Sequence, residues 1–280
     1  MKLVRYGAPG AEKPGMMDGD TLRDLSGHVD DITGATLDDA MLDRLRSLDP
    51  ATLPEVDGNP RIGPCVGNIG KFLCIGLNFS DHAAEQGLPI PAHPILFFKA
   101  NSAIVGPNDD VVMPRGSKRS DWEVELGVVI GKTCKYVSKA GALDYVAGYC
   151  IVNDVSEREF QQNLTGQWTK GKSCDTFGPT GPYLVTRDEV PDPQALDMRL
   201  SLNGAPMQTG NTSTMIFTVA EIIEHLSQLF TLHPGDVIST GTPPGVGDGM
   251  RPQRYLQVGD VMELEIAGLG RQRQEVKQDA

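Results

Sequence analysis

Between Asp121 and Ile130 the chain alternates, with Trp122, Val124, Leu126 and Val128 at even positions and Glu123 and Glu125 at odd ones. Side chains on a strand repeat every two residues. This register therefore predicts a strand with one apolar face turned to a core and two carboxylates on the other. The two glutamate Cα atoms then lie about 6.6 Å apart, so both carboxylates can lean onto one ion. Like charges on one face repel unless a cation neutralises them, and hard divalent cations such as Mg2+ take oxygen ligands in this arrangement. A bare Glu-x-Glu is far more often a solvent-facing strand edge, so the pair takes its meaning from the rest of the chain.

That rest reads as α+β, mostly β. Residues 1–65 predict a small N-terminal α/β domain with its linker: strands at 1–6 and 21–25, a helix at 37–48, then a stretch punctuated by Pro54, Gly58, Pro60, Gly63 and Pro64. Residues 66–280 hold short strand patterns broken by Gly and Pro, at 72–77, 95–99, 110–113, 122–130, 145–153, 183–186, 198–202, 237–240 and 261–266. That spacing suits a sandwich, roll or barrel. Helices are fewer. Thr218-Val219-Ala220-Glu221 is a capping box opening a helix to about 229, and a second helix is expected over 157–164.

Composition removes several classes. A net charge of −12 and a pI near 4.8 argue against a nucleic-acid groove and against anionic membrane surfaces. No apolar run approaches the roughly 18 residues a membrane span needs, and the N-terminus has no apolar leader. Five cysteines, an odd number without Cys-x-x-Cys spacing, favour reduced thiols in a cytoplasm over disulfides or a zinc cluster.

A third carboxylate, Asp154, ends the apolar run 148–153 and should project from a strand end. With Glu123 and Glu125 it completes an all-oxygen set better suited to Mg2+ or Mn2+ than to Zn2+. His82 and Glu85 stand three apart in Asn78-Phe79-Ser80-Asp81-His82-Ala83-Ala84-Glu85, which Ser80 or Asp81 should cap as a short helix and Gly87 should end. On one helical face the carboxylate can orient the imidazole as a base for activating water. Lys172 sits among small residues in Lys170-Gly171-Lys172-Ser173, where an ammonium can approach a bound anion. Lys99, followed by Ser102, ends an aromatic strand. Gly241 and Thr242 open a Gly/Pro loop whose amides and hydroxyls can hold a carboxylate. That loop lacks the Gly-Lys-Ser/Thr ending of a nucleotide-binding P-loop. Each of these has an ordinary surface or structural explanation when taken alone.

Taken in order, the motifs Gly76-Leu77-Asn78-Phe79-x-x-His82-x-x-Glu85, Phe98-Lys99-x-x-Ser102, Asp121-Trp122-Glu123-Val124-Glu125-Leu126, Asn153-Asp154, Gly171-Lys172-x-x-Asp175-x-Phe177-x-Pro179 and Gly241-Thr242-Pro243-x-Gly245 resemble the fumarylacetoacetate hydrolase family across roughly residues 70–270. The resemblance implies a mixed β-sandwich roll, usually dimeric, behind a small variable N-terminal domain. It implies Mg2+, with Mn2+ or Ca2+ as substitutes, held by Glu123, Glu125 and Asp154. It makes His82 and Glu85 the water-activating dyad and Lys172 the active-site lysine, and it places Lys99, Ser102, Gly241 and Thr242 against substrate. The stretch 167–173 resembles the branch labelled ureidoglycolate lyase or hydrolase of 2,4-diketo-3-deoxy sugar acids.

The implied reaction is hydrolysis of a C–C bond in a 2,4-diketo acid, acylpyruvate- or fumarylacetoacetate-like, through a metal-stabilised enolate. The small-molecule substrate is a 2-oxo acid. The same scaffold also serves ureidoglycolate lyase, oxaloacetate decarboxylase and 2-hydroxyhepta-2,4-diene-1,7-dioate isomerase chemistry. A non-catalytic metal-binding protein is the alternative of a different class.

Overall fold

The computed structural model describes residues 1–279. One mixed sheet of ten strands runs through the molecule. Its order is Thr21–Asp24, Lys13–Asp18, Lys2–Tyr6, Gly178–Thr186, Val146–Asn153, Val124–Ile130, Val237–Ser239, Phe72–Gly76 and Ile95–Lys99, with Ile104–Val105 pairing Gly178–Thr186 off that path. A second sheet of five strands is ordered Ala205–Asn211, Asp197–Leu202, Val261–Ile266, Gly270–Gln278 and Val111–Met113. The fold is α+β and mostly β, as expected.

The alternation at 121–130 sorts the core. Val124, Leu126, Val128 and Ile130 pack with Leu200, Leu264 and Ile266 of the second sheet and with Ile222, Ile223 and Leu226 of the long helix. Val129 points the other way, into a cluster with Val152, Leu3, Ile32 and Leu45. Each such side chain taken from water stabilises the fold by about 1.5–3 kcal/mol, so a strand buried on both faces fixes the register of the whole sheet. The carboxylate face of the strand thus turns apolar within four residues of Glu125, through Gly127, where a Cβ would meet Cys150 Sγ at 2.6 Å.

The expected domain division at residue 65 falls between the first three strands and the rest. Those strands join the same sheet, because Lys2 and Leu3 pair with Val185 and Leu184. Besides the two-residue strands Ile104–Val105, Ser120–Asp121 and Ser156–Glu157, three longer strands were not legible in the pattern: Lys13–Asp18, Ala205–Asn211 and Gly270–Gln278. All three are rich in polar residues, Gly or Pro, and their pairing partners rather than their own periodicity make them strands. Among the described residues no helix is long and apolar enough to cross a membrane, and all five cysteines are free.

The helix Val219–Leu229 opens with the predicted capping box. Thr218 N donates to Glu221 Oε2 at 2.8 Å and Glu221 N donates to Thr218 Oγ1 at 3.3 Å. The hydrogen bond from Lys139, aided by those from Thr218, holds the Glu221 carboxyl down at about 2. A depressed carboxyl stabilises the fold above its ordinary value of about 4.5 and loses that contribution as pH falls towards 2. Thr218→Ala should lower the free energy of unfolding by about 1 kcal/mol at pH 7 in urea titrations. The deficit of Glu221→Gln should shrink between pH 5 and pH 3, and a deficit constant over that range would contradict the depressed Glu221 carboxyl.

Candidate metal centre and its cavity

The strand that carries the glutamates is interrupted where it matters. Instead of a continuous strand over 122–130, Ser120–Asp121 and Val124–Ile130 are separate strands. At the break, side-chain oxygens replace the ladder as partners for three successive amides. Trp122 N donates to Asp121 Oδ1 at 2.9 Å, Glu123 N to Asn153 Oδ1 at 3.2 Å, and Val124 N to Gln208 Oε1 at 2.9 Å. This satisfies backbone groups that would otherwise be buried without partners. It also sets the two carboxylates at the end of the ladder beside Asp154, whose own amide donates to Glu123 O at 2.9 Å.

Glu123, Glu125 and Asp154 are all buried, and one oxygen of each lies within 4.8 Å of the others. Lys172 Nζ donates to Glu123 Oε2 and to Asp154 Oδ2, both at 2.7 Å. It reaches them because the short helix Thr169–Lys172 sits flush on its neighbour. A Cβ on Gly171 would stand 2.2 Å from Glu157 O. Arg158 reaches Glu123 Oε1 and Asp121 Oδ2 with the same nitrogen, each at 2.7 Å.

The buried charges divide the three carboxylates. Burial alone would raise the Glu123 carboxyl, but Lys172 and Arg158 outweigh it and hold Glu123 at about 2. Burial would likewise lower the Lys172 ammonium, yet Asp154 and Glu123 keep it above its ordinary range. Glu125 has only neutral donors: Ser239 Oγ at 2.5 Å and Gly241 N at 2.9 Å, both to Oε2. Burial, then Asp154 and Glu123, push its carboxyl well above the usual range. Asp154 Oδ1 is buried and accepts no hydrogen bond; the Lys99 ammonium stands 2.7 Å from it as an ion pair without hydrogen-bond alignment. A buried oxygen without a hydrogen bond, a carboxylate without a cation and an all-oxygen donor set fit a hard divalent ion.

His82 and Glu85 share the helix Ser80–Gln86. That helix starts at Phe79 without a side-chain cap, so neither Ser80 nor Asp81 caps it, and Gly87 at φ 65 ends it as expected. His82 Nδ1 lies 2.8 Å from Glu85 Oε2, and Glu85 Oε1 accepts from Gly245 N at 2.9 Å. His82 lines the same 110 Å3 cavity as Glu123, Glu125, Asp154 and Lys172.

Two of the residues expected against substrate do not line that cavity. Lys99 lies beneath it, almost fully buried, with Nζ donating to Val155 O at 3.0 Å and Lys172 O at 2.6 Å as well as facing Asp154. Its strand turns the side chain under the carboxylates, so it acts as a support. Ser102 is exposed on the 3-10 turn Asn101–Ala103. Gly241 and Thr242 do line the cavity. The loop holds a carboxylate as expected, but it is the protein's own Glu125. The Thr242 hydroxyl donates to Val124 O at 2.9 Å and accepts from Gln208 Nε2 at 2.8 Å. Asp121 stood in the motif Asp121-Trp122-Glu123 without an assigned role, and of Arg158, Gln208 and Ser239 none was singled out from sequence. Arg158 alone left a signal, as a cation four residues beyond Asp154 at the start of an expected helix.

Residues 71–277 match the family described as fumarylacetoacetate (FAA) hydrolase C-terminal. A Burkholderia multivorans protein named provisionally as a hydrolase is 63% identical over 276 residues, covering 98% of each chain. Two solved structures superpose over 100% of both chains. One, from Mycobacterium abscessus, is named provisionally as a 2-hydroxyhepta-2,4-diene-1,7-dioate isomerase, with a TM-score of 0.85 and 32% identity. The other is maleylpyruvate hydrolase from Sphingobium sp. SYK-6 in complex with manganese(II) and pyruvate, with a TM-score of 0.80 and 28% identity.

Gln208 ties the two sides of the centre together, accepting from Val124 N while its amide donates to Thr242 Oγ1 and Pro243 O, each at 2.8 Å. Gln208→Ala should weaken Mg2+ binding by about tenfold in calorimetric titrations, the usual effect of removing a group that orients ligands. Thr218→Ala, destabilised but remote, should bind Mg2+ as the parent does. Equal affinities for all three proteins would contradict the positioning role.

Proposed function

The chain belongs to the fumarylacetoacetate hydrolase family, and from that premise we propose that it is a divalent-metal-dependent hydrolase of a C–C bond in a 2,4-diketo acid. The observation that carries the reading is the His82–Glu85 pair, closed at 2.8 Å on the cavity that also holds the acidic triad. A structural ion would need no such base. The Mn2+ and pyruvate bound by the maleylpyruvate hydrolase support both the ion class and the 2-oxo acid head group.

Glu123, Glu125 and Asp154 would hold Mg2+ or Mn2+. When bound, the ion supplies Lewis-acid polarisation of the substrate's carboxylate and 2-keto oxygens. Glu85 accepts from His82 Nδ1, which assigns the imidazole proton to that nitrogen and leaves Nε2 to take a proton from water. The resulting hydroxide attacks the 4-keto carbon. The bond between C3 and C4 then breaks, its electron pair passes towards the 2-keto group, and C3 takes up the proton. Water and diketo acid thus yield pyruvate and a carboxylic acid. Lys172, which in this structure donates to Glu123 and Asp154, keeps at least one N–H for negative charge developing at the 4-keto oxygen. The homodimer expected of the family is part of the same reading.

An isomerase reading draws on the Mycobacterium abscessus neighbour and needs the same ion but no attacking water. Loss of acetylpyruvate absorbance should require Mg2+ or Mn2+ and vanish in Glu123→Ala. In His82→Ala kcat should fall by about 10^2 or more, the usual weight of a general base. Hydrolysis unchanged in His82→Ala would remove the base from the mechanism. Stable acetylpyruvate beside a rearranging dienedioate would favour the isomerase.

A further inference from the structure

The cavity has two unlike walls beyond the acidic triad. Leu77, Leu88, Phe97 and Trp168 form one. The indole lies directly on Gly76, where a Cβ would stand 2.1 Å from Trp168 Cζ3, and meets the Phe97 ring edge-on at 5.4 Å between centroids. Leu88 remains 52% exposed at the rim, a large apolar side chain with no cover of its own. Any residue but glycine at 76 would displace the indole, so the backbone itself is shaped to present this apolar wall.

The other wall is polar, and its charges are already committed. Arg158 is held by Asp121 and Glu123 and also donates to Gln161 Oε1 at 3.1 Å. Lys172 is held by Glu123 and Asp154, and His82 by Glu85. Asp248 adds an anion, accepting from Arg119 Nη2 at 2.8 Å, Tyr255 OH at 2.6 Å and Gln162 Nε2 at 3.0 Å. The lining carboxylates Glu123, Glu125, Asp154 and Asp248, with Asp121 behind them, face Arg158 and Lys172 on the lining and Lys99 and Arg119 behind it, five carboxylates against four cations. A divalent ion would turn that excess of one negative charge into one positive charge. The carboxylate of the 2-oxo acid head would cancel that charge, and both cations of the lining already have carboxylate partners, so neither wall offers a free cation to a distal carboxylate.

We propose that the substrate's distal group is short and uncharged, an alkyl or hydroxyalkyl tail laid against Leu77, Leu88 and Trp168, and that dicarboxylates are rejected. The inference rests on the 2-oxo acid reading above and narrows it to a class. Rejection comes from an unpaired charge brought beside Asp248 in a confined site, which costs far more than a missing attractive contact. Size favours a short tail. The 110 Å3 cavity is smaller than the ~150 Å3 void that takes up a benzene ring, so a long tail would run past Leu88 into solvent and leave the apolar wall.

The test is calorimetric binding to the Mn2+-loaded protein of 2-oxopentanoate and 2-oxoglutarate, which share a five-carbon chain and differ in the distal carboxylate. Binding needs no turnover, so it is independent of whether the reaction is hydrolysis. 2-Oxopentanoate should bind at least about tenfold tighter. Leu88→Arg places a cation on the apolar rim at an exposed position the fold tolerates, and should raise 2-oxoglutarate affinity about tenfold. Equal or tighter binding of 2-oxoglutarate by the parent protein would overturn the neutral-tail inference and leave the 2-oxo acid site intact. Binding of neither acid would overturn the 2-oxo acid reading, and this inference with it.

Discussion

The contact on which the rest depends is the buried meeting of Arg158, Lys172 and Lys99 with Asp121, Glu123 and Asp154. Charges of this kind are expensive to desolvate and are tolerated only when paired and hydrogen-bonded. Each element brings one member: Glu123 from the break in the central strand, Asp154 from the end of its neighbour, Lys172 from a four-residue helix, Lys99 from the sheet edge. Removing any one of the three cations would leave the three buried carboxylates with one negative charge in excess. The arrangement therefore constrains where those four elements can sit, and it leaves Glu125 as the member without a cation.

This incompleteness separates a metal centre from an ordinary ion-pair network. A closed network would satisfy every carboxylate with protein cations. Here Glu123 and Asp154 are paired with Lys172, Arg158 and Lys99, but the Glu125 carboxylate meets only a hydroxyl and an amide. The amide chain from Gln208 and Asn153 spends its oxygens on the backbone of Glu123 and Val124 and leaves the carboxylates themselves open. Fold and ion do not by themselves choose among hydrolysis, isomerisation and decarboxylation; the His82–Glu85 pair and the walls of the cavity must do so.

Much of this was legible in the chain because it rests on local periodicity. Period two at 122–128 placed Glu123 and Glu125 opposite the core, and spacing of three placed His82 against Glu85. The capping box at Thr218 and Glu221 named the start of its helix. What was not legible depends on long-range partners. Gln208 reaches Val124 from a strand 84 residues away, and no local pattern marks it. Lys99 was expected against substrate because it ends an aromatic strand, yet the pleat directs its ammonium under Asp154. The strands 13–18, 205–211 and 270–278 carry too few apolar residues to announce themselves and form because a neighbour offers its edge.

The most direct test of the metal centre is anomalous scattering from crystals of the protein grown with Mn2+. A single strong peak bounded by carboxylate oxygens of Glu123, Glu125 and Asp154, with Lys172 displaced from one of its two carboxylates, is the predicted result. Crystals in which Lys172 still bridges Glu123 and Asp154, with no peak beside Glu125 at millimolar Mn2+, would contradict it. The cluster would then be a structural ion-pair network.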